Sequence, residues 1–444
     1  MKIILSVALV LLVPTLFGQE VNFSPATRHI SPDEAVALAI NNNLGLESSR
    51  IALATKKRAM DTRWNVFVPT FDANVTLSHP NEPTQGMSME THPWSFSAGL
   101  SFSLNFNYAL IEDMKSTVLD YESGLISYEK AQSQLERDVR KSYYQMLLLQ
   151  ENIELLHENA RSAEQRVQQA NANYQAGLEP EMTLLQAQVA AENLKPTIAQ
   201  AENGLKRAVA QFALTLGLPY DTSFDFEPVS TDLSFIPLDL QNLINQAAAG
   251  KPDIKELQHQ VLNLHQTRKK TFFQVYTPTL SLSWGLSPMR LFADPHVTDE
   301  WSDGGRFSIT LSFRFNSLFP FDTSNQGLKT IDDNIKSLNL SLGQALRGTE
   351  VEIYNTVLSL QEIQTNIEAQ VHAVELAQRS YDMTNQAYRS GFSDLLEVQN
   401  AELQLRQAQI NALEQRFKYL SGLIDLEYST GMSFGTLSGL LKDF

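Results

Sequence analysis

The 444-residue sequence contains no cysteine. Disulfides, thiol nucleophiles and thiolate metal sites are therefore excluded. A lipid-modified N-terminal cysteine is excluded as well, so any membrane attachment has to come from the fold. Positive charge is also scarce: 34 Lys and Arg stand against 50 Asp and Glu, a net charge of −16. Nucleic-acid binding needs a basic face, so no nucleic-acid partner is expected. After the N-terminus no apolar run approaches the ~20 residues that a membrane helix requires. A position in a bilayer would have to be taken as a barrel, the other structure that satisfies its own backbone in lipid.

Chemistry-bearing patterns are missing too. The eight histidines are scattered, and His259 and His265, six apart, do not share a helical face. Neither a His-Glu-x-x-His helix nor a Gly-rich loop ending in Gly-Lys-Ser/Thr occurs. No enzyme, no cofactor and no metal site is expected, and the histidines are expected to be solvated or to cap helices. With 19% charged residues, 20 Gly and 17 Pro, the chain fits neither a disordered nor a collagen-like class.

What is present begins with a secretory signal over residues 1–18: Lys2, the apolar run Ile3 to Phe17, and the small residue Gly18. At ~15 residues the run is too short to span.

The rest is duplicated. Val66-Phe67-Val68-Pro69-Thr70 is matched by Val275-Tyr276-Thr277-Pro278-Thr279, an offset of 209 (278 − 69). Tyr174-Gln175-Ala176-Gly177-Leu178 is matched by Tyr388-Arg389-Ser390-Gly391-Phe392, an offset of 214 (391 − 177). Two matches in one order at nearly one offset mark an internal repeat. It divides the chain into residues 19–218, a linker at 219–238, and residues 239–444.

Each half is expected to run shorter helix, strand, loop, strand, long helix, turn, shorter helix. Ser31-Pro32-Asp33-Glu34 has the form of a capping box with Pro at the first helical position. The run Asn41 to Asn43 is a candidate break, and Gly250-Lys251-Pro252 stands at the equivalent place. Long helices are expected from about Glu112 to Asn173 and from about Gln326 to Ala387, each roughly 90 Å long. Met146, Leu149, Ile153, Leu156, Ala160, Ala163, Val167, Ala170 and Tyr174 recur in steps of three and four, a coiled-coil seam thinning to alanine. The returning helices, about Thr183 to Leu216 and Asp394 to Tyr428, are half as long. Each would need a second short helix to complete its height, with the Pro219 to Pro237 segment as a collar at the junction.

Four stretches alternate with period two. Phe71, Ala73, Val75 and Leu77 take turns with Asp72, Asn74, Thr76 and Ser78. Trp94, Phe96, Ala98, Leu100, Phe102, Leu104 and Phe106 take turns with small residues that include Ser101 and Ser103. Leu280, Leu282, Trp284 and Leu286 interleave with Ser281, Ser283 and Gly285. Phe307, Ile309, Leu311, Phe313 and Phe315 interleave with Ser308, Thr310, Ser312 and Arg314. Period two sends each set to its own face. A soluble half-buried sheet gives the same alternation. The Phe, Leu and Trp content of the apolar face, the Ser, Thr, Asn and Gly content of the other, and the export signal favour a lipid-facing wall around a watered lumen. The lumen residues would be Asp72, Asn74, Ser101, Ser103, Ser281, Ser283, Thr310 and Arg314. Arg314 would either pair with a carboxylate near the barrel base or reach water. Four strands cannot close a barrel, so several copies must pool theirs. The loops Pro80 to Pro93 and Ser287 to Gly304 would face outside.

The Asp33-Glu34-Ala35 opening, the Pro69 and Pro278 strand starts, the two Tyr-x-x-Gly turns, Asp303-Gly304-Gly305 and Glu397-Val398-Gln399-Asn400-Ala401 together resemble the TolC-like outer-membrane efflux proteins. That resemblance implies a mainly α fold with transmembrane β: a homotrimer in which antiparallel coiled-coil helices form an α-barrel below a 12-stranded β-barrel. It implies a passive exit duct for tripartite efflux or type I secretion, sitting in outer-membrane lipid. Partners would be a periplasmic adaptor and, indirectly, an inner-membrane pump. Tyr174, Gly177, Leu178, Tyr388, Gly391 and Phe392 would form the tips that meet the adaptor. Glu397 would line the periplasmic entrance, with Asn400, Thr183 and Gln186 at the matching positions, where the family often has acids. A solvated glutamate on a helix face is the plainer alternative for Glu397. The rival for the whole chain is an exported periplasmic coiled-coil scaffold or adhesin without a pore.

Overall fold

The computed structural model describes residues 28–78, 94–227, 235, 237–286, 288–292 and 302–437. The expected signal segment and the first outer loop lie outside these residues. In chain order, a short strand β1 (Arg28–Ile30) leads into α1 (Pro32–Asn42) and α2 (Leu44–Asp61). Strands β2 (Thr70–Ser78) and β3 (Trp94–Phe106) follow, then α3 (Ala109–Gln175), α4 (Glu181–Thr215) and β4 (Phe224–Phe226). The second half supplies α5 (Leu240–Gly250), α6 (Pro252–Tyr276), β5 (Thr279–Leu286), β6 (Pro288–Phe292), β7 (Ser302–Asp303) and β8 (Arg306–Ser312). It ends with α7 (Thr323–Arg389) and α8 (Leu395–Thr430).

The two long helices, α3 and α7, have 67 residues each and are about 100 Å long. Such rods persist because partners line them throughout. α3 packs on α2 and α6 above and on α4 and α8 below, while α7 packs on α6 and α8. The coiled-coil seam lies in these contacts: Met146, Leu156, Ala163 and Ala170 are buried, and Tyr174 at its lower end is exposed.

The shorter helices meet end to end at mid-height. At the top of α4 the chain ends in a left-handed Gly217 (φ 72°). Leu218 N–H reaches back to Ala213 O at 2.8 Å, the six-to-one bond of a glycine-terminated helix. Asn43 closes the facing end of α2. Its backbone (ψ 121°) breaks α1 from α2, its side chain accepts from Leu46 N, and its amide donates to Thr215 O at 2.8 Å. In the second half Gly431 (φ 69°) ends α8, and Lys251 (ψ 124°) separates α5 from α6. The capping box forms as expected, with Glu34 N–H donating to Ser31 Oγ and Ser31 N–H to Glu34 Oε2.

Two apolar clusters occupy this equator. Ile30, Val36, Val139, Tyr143, Phe212 and Phe226 belong to one, and Leu243, Ile353, Leu360, Tyr419 and Leu423 to the other. Sequence pattern left residues 219–238 aperiodic, yet Phe224–Phe226 forms a parallel ladder with Arg28–Ile30. That strand pair is held by the buried Tyr143 hydroxyl, 2.9 Å from Ile30 O and 3.1 Å from Glu227 O. His259 is a correction: it is buried between α6 and α3, with Nε2 3.3 Å from Glu122, and is neither solvated nor a cap.

The remaining strands build one sheet. β2 pairs antiparallel with β3, β3 with β5 and then β6 in one unbroken register, and β8 with β5 while β7 continues along β6. β5 and β6 thus act as one long strand, as do β7 and β8, so the sheet is four-stranded in sequence order. The loop expected from Ser287 to Gly304 is correspondingly shorter, because residues 288–292 and 302–303 belong to the ladder.

Candidate functional site

Register decides what the alternation in each strand adds up to. Phe71 faces Phe102, which faces Trp284, which faces Phe307. Ala73 faces Leu100, which faces Leu286, and Leu104 faces Leu282, which faces Ile309. A slip of one residue among β2, β3, β5 and β8 would have mixed the two faces; none occurs, and across these four strands one side of the sheet is apolar from edge to edge, whereas along β6 Arg290 falls opposite Phe96. That side is open: Phe71 is 75% and Leu311 70% exposed. A soluble sheet covers such a face with a helix, so its exposure requires another apolar medium.

The other side carries the polar residues in rows. Asp72 faces Ser101, Asn74 faces Gly99, Ser103 faces Ser283, and Ser281 faces Thr310. Hydroxyls link across strands: Thr70 to Ser103 at 2.6 Å, Ser283 to Ser308 at 2.7 Å, and Ser281 Oγ donates to Asn105 Oδ1 at 2.7 Å. Of the residues expected on the polar face only Arg314 departs from it. The ladder ends at Ser312, and the Arg314 carbonyl accepts from Ser317 where the chain turns into a short 3-10 helix over Phe315–Leu318. Arg314 is therefore below the sheet and not on its polar wall. Among the described residues β2 and β8 are paired on one side only, which leaves two open edges.

The stalk ends in two matching tips. Gly177 (φ 71°) and Gly391 (φ 77°) take the same left-handed turn, and Leu178 N–H to Asn173 O and Phe392 N–H to Ala387 O are both 2.9 Å. The apolar residue after each glycine projects outward, with Phe392 88% exposed. The tyrosines before the glycines differ. Tyr174 is half exposed, whereas Tyr388 is 6% exposed in a tip cluster with Ala170, Ala187, Leu395 and Val398. Its hydroxyl donates to Glu179 at 3.4 Å, and burial, followed by the Glu179 charge, pushes its pKa up to about 12. Within one protomer Tyr388 holds the two tips together and does not project from them.

Glu397 and Thr183 occupy the same position, third in α8 and third in α4, one turn before Asn400 and Gln186. Glu397, Asn400 and Gln186 are exposed and Thr183 is half-buried. Asp394 caps α8 by accepting from Glu397 N at 3.0 Å, and the Glu397 carboxylate accepts from Ser393 Oγ. Two carboxylates at a helix N-terminus are favoured by its partial positive charge. The alternation of polar and apolar residues gave no sign of two further features. Arg166 of α3 is ion-paired with Glu402 of α8, both largely buried, which braces the stalk above the tips. A groove of about 370 Å³ between α3, α7 and α8 is lined by Glu151, Glu154, Glu158 and Arg416 among others.

The sequence pattern of the outer membrane efflux protein family matches residues 35–218 and 243–432. The chain belongs to that family. As an outer membrane efflux protein it resides in the outer membrane and carries its helical stalk in the periplasm. Solved structures share the fold. The crystal structure of CusC superposes with a TM-score of 0.72 at 18% identity, over 93% of this chain and 96% of that one. The outer membrane protein VceC of Vibrio cholerae gives 0.69 at 16% identity, over 91% and 96%. The CmeC outer membrane channel of Campylobacter jejuni gives 0.71 at 16%, over 90% and 85%. No curated protein sequence matches the chain. The breaks in the family match, at residues 219–242, fall on the segment between the two halves of this efflux protein.

Proposed function

We propose that three copies assemble into an exit duct, each giving four strands to a 12-stranded barrel and its helices to a tapering tunnel. The duct is passive. An inner-membrane pump supplies energy and cargo, and a periplasmic adaptor joins pump to duct, in tripartite efflux or type I secretion. The repeats 19–218 and 239–444, with 219–238 between them, each supply half of one protomer's wall. Leu178 and Phe392, with Gly177, Gly391 and Tyr174 behind them, form the surface that meets the adaptor, and Tyr388 fixes its shape from within.

The observation that carries this reading is the register. It puts the apolar residues of β2, β3, β5 and β8 on one face and their hydroxyls on the other while leaving two backbone edges open, and an open edge in lipid leaves hydrogen-bonding groups unsatisfied. Edge-to-edge closure of several copies satisfies them around water. Purified protein should behave as trimers that come apart only on heating in detergent, and should conduct ions in planar bilayers. A soluble monomer without detergent would exclude the pore and leave the scaffold or adhesin.

At the entrance, one Glu397 per copy makes a ring of three carboxylates that draws and holds cations. Single-channel recording of Glu397→Ala should show weaker cation selectivity and weaker block by multivalent cations. Unchanged values would leave Glu397 as a first-turn helix residue tied to Ser393.

A further inference from the structure

Strands β2, β3, β5 and β8 hold two charged residues, and both lie on the polar face. One is Asp72 of β2. The other is Arg306, the first residue of β8, which keeps the parity of Ser308, Thr310 and Ser312 and faces Gly285. Gly285 faces Ser101 and Ser101 faces Asp72, so a single cross-strand row runs from acid to base across all four strands.

Within one protomer the two ends of that row do not meet. Three strand spacings of about 4.8 Å separate them, ~14 Å in all. Arg306 and Asp72 are exposed, and neither has an ion-pair partner among the described residues. Gly285 offers no side chain to satisfy the guanidinium, and β8 is an edge strand with no other strand of the protomer beyond it.

Closure of several copies brings β8 of one to β2 of the next, yet it does not pair Arg306 with the next Asp72. Barrel strands tilt by about 35–45° and their ladders are staggered. Asp72 stands two residues above the stalk end of its strand (72 − 70), and Arg306 six above the stalk end of its own (312 − 306). At about 3.3 Å per residue and that tilt, the rings they form lie about 10 Å apart in height. That exceeds the Debye length of about 8 Å at physiological salt, so each ring acts by itself.

We propose that Arg306 makes the outer part of the duct a binding site for multivalent anions. Each copy adds one guanidinium to a wall otherwise lined by hydroxyls, amides and glycine, and three of them face a phosphorylated or sulfonated solute. A guanidinium keeps its charge at any physiological pH, and its fork of donors fits phosphate oxygens. The inference rests on the polar face being the lumen of the trimer. It gives the two ends of the duct opposite preferences, cations at Glu397 and anions at Arg306.

The test is a block of single-channel current. Purified trimers in bilayers of neutral phosphatidylcholine, which present no anionic lipid, should be blocked by inositol hexakisphosphate added on the side away from the stalk. In Arg306→Gln the half-blocking concentration should rise by about tenfold or more, the lower end of what a charged opening does to local counter-ion concentration. Arg306→Lys should keep most of the block, and Asp72→Asn should not weaken it. Equal block of wild type and Arg306→Gln would overturn the proposal, as would no block of wild type. If Arg306→Gln fails to assemble, the absence of cysteine gives a second route through Ser308→Cys on the same face. Assembled trimers of that variant should lose the block with a sulfonate-bearing thiol reagent and keep it with a trimethylammonium-bearing one; equal responses to both would again overturn the site. Trimers that conduct no ions at all would sink the duct itself, whereas conducting trimers with an unmoved block sink the Arg306 site alone.

Discussion

The two halves of the chain share a skeleton and differ at its joints. Long helices of equal length, glycine-ended helices 40 residues apart (217 − 177 and 431 − 391) and matched tip turns repeat from one half to the other. Asn43 against Lys251, Tyr174 against Tyr388, Thr183 against Glu397, and a two-residue against a ten-residue junction below the sheet do not. Duplication supplies the scaffold, and divergence has been tolerated where an element ends. There a side chain answers to one cap or one surface and not to a packed seam on several sides.

The largest expected effect separates the equatorial glycines from the tip glycines. A Cβ on Gly217 would stand 2.2 Å from Asn42 O, and one on Gly431 2.4 Å from the Gly250 backbone, whereas Gly177 and Gly391 face open space. Gly217→Val and Gly431→Val should abolish folded trimers on heat-modifiability gels. Gly177→Val and Gly391→Val should keep trimers in the membrane, because their cost is mainly the left-handed backbone, about 1–2 kcal/mol. Export should nevertheless stop in the Gly391 variant. Equal trimer yields from both classes would remove the distinction between joint and tip.

Next in size is the contrast between the two faces of one strand. Ile309→Arg should destabilise the assembled barrel by about 2–4 kcal/mol at mid-bilayer depth, while Thr310→Arg, its neighbour on the polar face, should leave stability near wild type and alter conductance. Detergent unfolding and single-channel current read the two effects separately.

A smaller effect distinguishes the two mid-height breaks. Asn43→Ala loses an N-cap and the bond to Thr215 O, and should cost about 1–2 kcal/mol in thermal unfolding. Lys251→Ala removes no side-chain cap; its cost, about 1–3 kcal/mol, comes instead from deleting a buried ammonium that donates to Thr349 and Glu352.

The smallest effect concerns the stalk groove. Burial pushes the Glu151 carboxyl above its ordinary range and Glu154 adds to the shift, while Arg416 opposes it. A raised carboxyl contributes stability below its unfolded pKa and loses it as pH rises through the folded value. Glu151→Gln should therefore raise the unfolding temperature slightly at neutral pH. The gain should fade as pH falls towards the unfolded carboxylate range near about 4.

Much of this was legible in the sequence because it is periodic. Helix ends came within a few residues, since Asp394, Gly177 and Gly391 terminate helices by local backbone chemistry. The four alternating stretches named their own two faces. Arg314 misled because alternation continues through Phe313 and Phe315 after the ladder has stopped, and only a partner strand tells a paired residue from an unpaired one. The β1–β4 ladder was hidden because three residues show no period. Gly217 and Gly431 could have been found from their spacing after the tip glycines. Tyr388 and Glu179 could not, since their contact joins two separate turns.

By itself the sequence determined the length and number of the helices, the turns that end them and the polarity of each strand face. These follow from neighbours a few residues apart, where backbone geometry and side-chain spacing act without distant partners. Tertiary structure alone decided that four strands share one register and that α4 and α8 abut the α1–α2 and α5–α6 breaks. It also decided that Tyr388 turns inward. Each of those outcomes depends on which distant surface competes for a side chain, a quantity that local pattern does not encode.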